Sequence, residues 1–211
     1  MIFAIAALVA ASTPQIPSSR ALRVVAVGTS LTARGGWTEE LRYSLDRRLD
    51  RRVSMVVLAS PGANSRNLKR MVPHIIKARP DIVLVEYAVN DAKLITGLPM
   101  EESINNLKAM VQKVREIFPR SQMVIMAMNP VSRLQRFYRY RLNSYYDAHL
   151  KLARDLKLQT LDHRIAWAKI PPSMRAQAIP DGLHPKGSIA SRVIVPPLAD
   201  LITLYVSKDN P

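Results

Sequence analysis

The chain has 211 residues, with 31 lysines and arginines against 16 aspartates and glutamates, a formal net charge of +15 and an isoelectric point near 10.6. Hydrophobic residues make up 48% and charged residues 22%, which excludes a disordered chain. The absence of cysteine excludes disulfides, a thiolate metal site and a cysteine nucleophile. No uninterrupted apolar run reaches the roughly 18 residues of a membrane span, so no transmembrane segment is expected. The positive charge attracts nucleic acid, anionic lipid or acidic polysaccharide without selecting among them.

Residues 1–11, MIFAIAALVAA, have the length of an export-signal apolar core, and Val9-Ala10-Ala11 suits cleavage, although no lysine or arginine precedes it. Residues 12–19, with two prolines and several serines, read as a linker. The reading is therefore a leader and linker over 1–20, export to the periplasm or beyond with a cytoplasmic location as the alternative, and one domain over 21–208.

From residue 23, short apolar runs alternate with helical periodicity. RVVAV at 23–27 predicts a buried strand ending at Gly28. Trp37, Leu41, Leu45 and Leu49 recur every four residues and predict an amphipathic helix over 37–49. Strands are predicted at 53–58, 81–87 and 122–128, with a short fifth at 160–162. A helix at 67–78 contains Pro73, which kinks it or starts its main segment. Further helices are predicted at 101–118, with Ile104, Leu107, Val111 and Val114 on one face, and at 138–156. The closing helix, 188–206, is expected to be interrupted near Pro196-Pro197. This alternation suits right-handed crossovers and a parallel sheet covered on both faces. In such sheets ligands bind beyond the carboxyl ends of the strands.

The residues at those ends carry chemistry. Gly28-Thr29-Ser30 permits a tight strand-to-helix turn that lifts Ser30 out at the sheet edge. Ser60-Pro61-Gly62 lets a backbone N–H face a ligand. Ala88-Val89-Asn90-Asp91 brings a side-chain amide to the same edge. In Asp181-Gly182-Leu183-His184, the spacing can set the carboxylate against the imidazole, leaving the other ring nitrogen to take a proton from a serine.

In this order and spacing, the four segments resemble the SGNH (GDSL) hydrolase family over essentially residues 23–206. The resemblance implies a flavodoxin-like three-layer α/β/α sandwich around a parallel sheet of about five strands. It implies Ser30 as nucleophile, His184 as general base and Asp181 as the group orienting the imidazole. The oxyanion hole would comprise the Ser30 and Gly62 N–H groups and the Asn90 side chain. Two positions depart from the family pattern. Thr29 stands where the first block usually has Asp, leaving that loop without a helping carboxylate, and Ala88 stands where the third block usually begins with Gly.

Weighed singly, each motif has a plainer reading: a serine after a strand is usually a helix cap, and Gly62 or Asn90 can serve only a turn. His74 and His149 fall within helical patterns, and His163 has no motif partner. No spacing fits a metal site or a nucleotide-binding loop, so no cofactor is expected. RLQRFYRYR at 133–141 follows the fourth strand. Interleaved arginines and aromatics can bind nucleic acid, but at this edge Arg133, Arg136, Phe137 and Tyr138 are better read as a wall of the substrate cleft. The plain alternative is a mixed helix surface. The expected activity is hydrolysis of an oxygen ester of a small acyl group, such as acetyl on a carbohydrate or an anionic polysaccharide. Lysophospholipase, general short-chain esterase and acyltransferase activities are the alternatives. A binding module for anionic polymer with a vestigial triad is the non-enzymatic one.

Overall fold

The structure, a computed structural model, describes residues 20–208, so the expected leader lies outside it apart from Arg20. In β1 (Leu22–Gly28), Leu22, Val24 and Ala26 join one apolar cluster and Val25 and Val27 another, so the strand is buried on both faces. The turn after it forms α1 (Ser30–Ala33), followed by α2 (Trp37–Leu49) and β2 (Val53–Ala59). A 3₁₀ turn at Ser65–Asn67 leads into α3 (Leu68–Ala78), β3 (Ile82–Glu86), α4 (Ala88–Asp91), α5 (Met100–Ile117) and β4 (Gln122–Ala127). The remaining elements are α6 (Arg133–Tyr138), α7 (Leu142–Asp155), β5 (Gln159–Asp162), α8 (Arg164–Ala168), α9 (Pro172–Ala178) and α10 (Gly187–Lys208).

All five strands pair in parallel in the order β2-β1-β3-β4-β5. Helices α2 and α10 pack together on one side; α3, α5 and α7 form a second layer, α7 against β4 and β5. This is the expected three-layer α/β/α sandwich. β1 and β3 flank the switch point, where successive crossovers go to opposite sides.

Three readings of the helices differ from the sequence expectation. The helix expected over 138–156 breaks between Tyr138 and Leu142, where Arg139 turns inward and is only 5% exposed. α10 runs unbroken through Pro196 and Pro197, because Ile194, Leu198, Ala199 and Ile202 are held in the core while the two missing N–H groups weaken the turn. Of the two placements that the sequence left open for Pro73, the structure has the one inside the helix, α3. In α5 the buried seam uses Ser103 with Leu107, Met110, Val111 and Val114, and Ile104 is only half-buried. By length and composition α10 is apolar enough to cross a bilayer, yet here it packs against α2 as a core helix.

One buried carboxylate joins the two strands that bear the site. Glu86, at the end of β3, accepts hydrogen bonds from Thr29 N–H at 2.6 Å and from the Thr32 hydroxyl at 2.7 Å, and lies 3.0 Å from the Thr29 hydroxyl. Gly28 makes room for it: a Cβ there would lie 2.8 Å from Glu86 Cδ and 2.6 Å from Thr32 Oγ1. Thr29 thus does not leave the first loop without a carboxylate, as the sequence suggested; the neighbouring strand supplies one. Burial raises the Glu86 carboxyl to about 7, against the opposing effect of those hydrogen bonds.

An acid whose pKa is higher in the folded chain than in the unfolded one keeps its proton longer when folded. Its stabilising contribution is complete below the unfolded pKa and is lost as pH rises from the ordinary 4.5 through about 7. Glu86→Gln removes this loss. Its thermal midpoint should therefore gain about 5 °C on the unmodified chain between roughly pH 5 and pH 8. Parallel melting curves across that range would show that Glu86 does not titrate there.

Candidate active site

Ser30 opens α1 directly after the tight turn, with Thr29 as its cap; the Thr29 side chain accepts from Leu31 N–H at 3.2 Å. Trp37 Nε1–H donates to Leu31 O at 3.0 Å and ties the start of α2 to this one-turn helix. The Ser30 backbone is therefore held by Glu86 below it and Trp37 beside it, leaving its hydroxyl at the sheet edge.

His184 arrives from the segment between α9 and α10. Gly182, at φ +78°, makes the turn; a Cβ there would approach Ser132 O to 2.5 Å, while its own carbonyl accepts from Ser132 N–H at 2.9 Å. Asp181 Oδ1 accepts from Leu183 N–H at 2.9 Å and His184 N–H at 2.7 Å, which fixes the carboxylate. Its other oxygen lies 2.6 Å from His184 Nδ1, and His184 Nε2 lies 2.8 Å from Ser30 Oγ. A carboxylate on one ring nitrogen favours the Nδ1–H tautomer, so Nε2 can accept the Ser30 proton. Partial burial pushes Asp181 up, but the bonds from the His184 ring and the two backbone N–H groups outweigh it and hold the carboxyl at about 2.

The other side of Ser30 is built by the loops after β2 and β3. Asn90 Nδ2 donates to Ala63 O at 2.8 Å, so the Asn90 amide and the Gly62–Ala63 backbone share one place. Gly62 N–H has no hydrogen-bond partner among the described residues. The Asn90 carbonyl is held from behind: Arg139 Nη2 donates to Asn90 Oδ1 at 3.3 Å and Arg139 Nε to Val89 O at 2.7 Å. With a third bond to Gln135 Oε1 and no carboxylate partner, Arg139 is a buried cation satisfied by neutral acceptors. Burial lowers its pKa accordingly. It does not reach solvent as a cleft arginine would.

Beneath Asn90 lies a second Ser-His-Asp set. Asp91 accepts from Ser65 N–H at 2.7 Å and from the Ser103 hydroxyl, and Ser103 Oγ lies 2.7 Å from His149 Nε2. All three side chains are buried, and burial drives His149 down to about 4, keeping it neutral. This set braces the loop that carries Asn90 and offers no substrate access. His163 is buried too, and burial likewise lowers it to about 4. His74 is exposed on α3.

A cavity of about 260 Å³ opens beside Ser30 and His184, lined by Leu31, Met128, Ala190 and Ile194 and by the polar side chains of Asn129 and Arg34. Of the segment at 133–141, nothing lines this cavity. Arg133 reaches Pro180 O at 2.7 Å, Arg136 borders a separate cavity with Arg175, and Phe137 and Tyr138 point into solvent. The structure brings Ser30, Asp181 and His184 into hydrogen-bonding contact and joins Gly62–Ala63 to Asn90. It leaves Arg133, Arg136, Phe137 and Tyr138 on an outer rim. Sequence reasoning missed Glu86 and the inward turn of Arg139. A carboxylate directly after the apolar run IVLV at 82–85 was a legible signal for Glu86; Arg139, one arginine among several, carried none. Among the described residues no group of three His, Cys, Asp or Glu side chains could hold a metal.

Comparison with known proteins agrees with the fold. Residues 26–188 match the GDSL-like lipase/acylhydrolase family. The isoamyl acetate-hydrolyzing esterase 1 homolog of Homo sapiens is 28% identical over 196 residues, covering 79% of this chain and 76% of that protein. An acetylxylan esterase from Geobacillus stearothermophilus superposes with a TM-score of 0.72 at 14% identity, covering 92% of this chain and 96% of its own. A lipase/acylhydrolase from Enterococcus faecalis gives 0.69 at 19% identity, over 85% and 96%. At such identities the superpositions speak for the fold, and the sequence match carries the kinship: the chain belongs to the GDSL-like lipase/acylhydrolase family and is a carboxylic ester hydrolase.

Proposed function

We propose that the chain is a serine hydrolase of short-acyl esters, acting by a covalent acyl-enzyme. The observation that carries the reading is the unbroken chain of contacts from Asp181 through His184 to Ser30, at 2.6 and 2.8 Å. Ser30 Oγ attacks the ester carbonyl while His184 Nε2 takes its proton, and Asp181 stabilises the imidazolium that forms. The carbonyl oxygen, now an oxyanion, is held by the N–H groups of Ser30 and Gly62 and the free N–H of Asn90. His184 returns its proton to the departing alkoxide as the C–O bond breaks. Water then gives a proton to His184, attacks the acyl carbon and releases the acid, and Ser30 recovers its hydrogen.

The cavity beside Ser30 supports an apolar, compact substrate. Its walls are mostly apolar, with Asn129 and Arg34 the polar side chains beside Ser30 and His184, and about 260 Å³ is below the usual range for drug-sized ligands. The name of the human relative, an acetate-hydrolyzing esterase, agrees with a short acyl group on an apolar alcohol. Acetyl on a carbohydrate, the choice suggested by sequence, is the second reading; the acetylxylan esterase fold neighbour is what favours it. A long-chain lysophospholipid fits the cavity least well.

A panel of esters tests the substrate. kcat/KM should fall about tenfold or more between butyrate and octanoate esters of one alcohol, and acetates of apolar alcohols should exceed acetylated xylo-oligosaccharides. The reverse order for either pair would overturn that part of the reading. Ser30→Ala should lower kcat on a chromogenic acetate by on the order of 10³-fold or more with an unchanged melting temperature. Retention of near-normal turnover would remove Ser30 from the mechanism.

Arg139 acts here as a positioning residue, holding the Asn90 amide so that Nδ2 faces the oxyanion. Asn90→Ala should cost roughly 10²–10³-fold in kcat with little change in KM. Arg139→Gln should cost about tenfold in kcat, again without a KM effect. Combined, the two changes should be no slower than Asn90→Ala alone, because the arginine works through the amide. Additive losses would assign Arg139 a separate, structural role.

A further inference from the structure

The segments that follow Asn90 and Asn129 carry the most exposed apolar groups near the site. Ile95 is 77% exposed, Leu134 72%, Phe137 68% and Tyr140 67%, with Leu94 and Tyr138 also open to solvent. Leu94 N–H donates to Tyr138 O at 2.8 Å, so the loop after α4 and the end of α6 form one surface. Phe137 and Tyr138 meet edge to face. α6 buries none of its side chains, and Leu134, Phe137 and Tyr138 share one helical face through their spacing of three and four. An amphipathic helix that packed inward would bury that face; this one presents it to solvent.

Lys93, Arg133, Arg136 and Arg141 belong to the same two segments, and no aspartate or glutamate occurs over 92–100 or 129–146. Lys93, Arg136 and Arg141 make no ion pair among the described residues, although arginines elsewhere, such as Arg42, Arg66 and Arg164, are paired. The surface thus combines projecting aliphatic and aromatic side chains with unneutralised cations.

We propose that this surface docks the protein onto an anionic phospholipid membrane. The aliphatic and aromatic tips enter the headgroup–acyl boundary, and the arginines and Lys93 meet lipid phosphates. Charge complementarity selects the partner. A second copy of this chain would set the same cations against each other across a twofold contact. An acidic polysaccharide would engage the arginines and aromatic faces but leave Ile95 and Leu134 without a role. Docking sets the edge that bears Asn90 and Asn129 against the lipid. If the proposed hydrolase reading holds, the enzyme would draw apolar esters from the bilayer. Docking itself does not depend on that reading.

Co-sedimentation of the full chain with vesicles of phosphatidylcholine alone, or mixed with phosphatidylglycerol, tests the proposal. The unmodified chain should bind the mixed vesicles, and the salt-sensitive part of that binding should reside in the patch. Ile95→Ser with Leu134→Ser and Phe137→Ser, and separately Arg136→Gln with Arg141→Gln, should each weaken binding by about tenfold or more. Arg47→Gln with Arg70→Gln, which removes the same charge on α2 and α3, should change it less than about twofold. Turnover of a water-soluble acetate should be unaffected in all three, so a failed hydrolase reading shows separately as absent turnover. Equal losses in the patch and distant charge variants would reduce the effect to net charge and overturn the proposal. So would no binding to the mixed vesicles, or binding to polygalacturonate in their place.

Discussion

Glu86 sits fully inside the sheet where the chain's crossovers change side. Its carboxylate reaches from the end of β3 to the turn after β1 and takes the Thr29 N–H and the Thr32 hydroxyl. A parallel sheet opens a crevice at such a switch point, because the loops after its two strands leave in opposite directions. Something must hold the loops in register across that crevice. Here one buried side chain does so, and Gly28 gives it room. The Ser30 backbone is set by this tie, and the loops that bear His184 and Asn90 are arranged around that fixed point.

Glu86, Asp91 and Arg139 are nearly free of solvent, and none of them forms a conventional salt bridge with Lys or Arg, Asp or Glu. Burying an ionisable group costs several kcal/mol unless hydrogen bonds replace its hydration. Each of the three meets that demand with main-chain or neutral side-chain partners. Those partners belong to Thr29, Thr32, Ser65, Ser103, Val89, Asn90 and Gln135, and all but Gln135 lie in the loops and helices that shape the site. Apolar substitutes would pack as well and cost less, but they would leave N–H and C=O groups of these loops without partners. The buried polar groups therefore specify loop geometry more than they stabilise the fold.

Two Ser-His-Asp sets of similar chemistry lie within one small domain, and exposure separates them. In Asp91-Ser103-His149 every member is buried, burial keeps the histidine neutral, and the serine hydroxyl is donated to the aspartate. In Asp181-His184-Ser30 the order is reversed: the aspartate grips the ring, and the ring accepts from a serine that opens on a cavity. The first arrangement can only brace; the second can move a proton to and from a bound molecule.

Nearly continuous apolar runs at 23–27, 81–87 and 122–128 pointed to the parallel sheet, because β1, β3 and β4 are buried on both faces, whereas β2, at the sheet edge, is only partly buried. Three strand-end segments and the turn at 181–184 together carried the family resemblance that offered Ser30, Gly62, Asn90, Asp181 and His184 as candidates, a set that no one of the motifs marked alone. The interruption expected at Pro196-Pro197 was overridden by core packing along α10. The break at Arg139 was invisible because helical periodicity continues through residues 138–156. Only the tertiary structure set a guanidinium beneath the Asn90 carbonyl, supplied from β3 the carboxylate that Thr29 lacks, and turned Leu134 and Phe137 outward. Sequence periodicity reports which residues share a face of an element, whereas what that face meets depends on neighbours dozens of residues away.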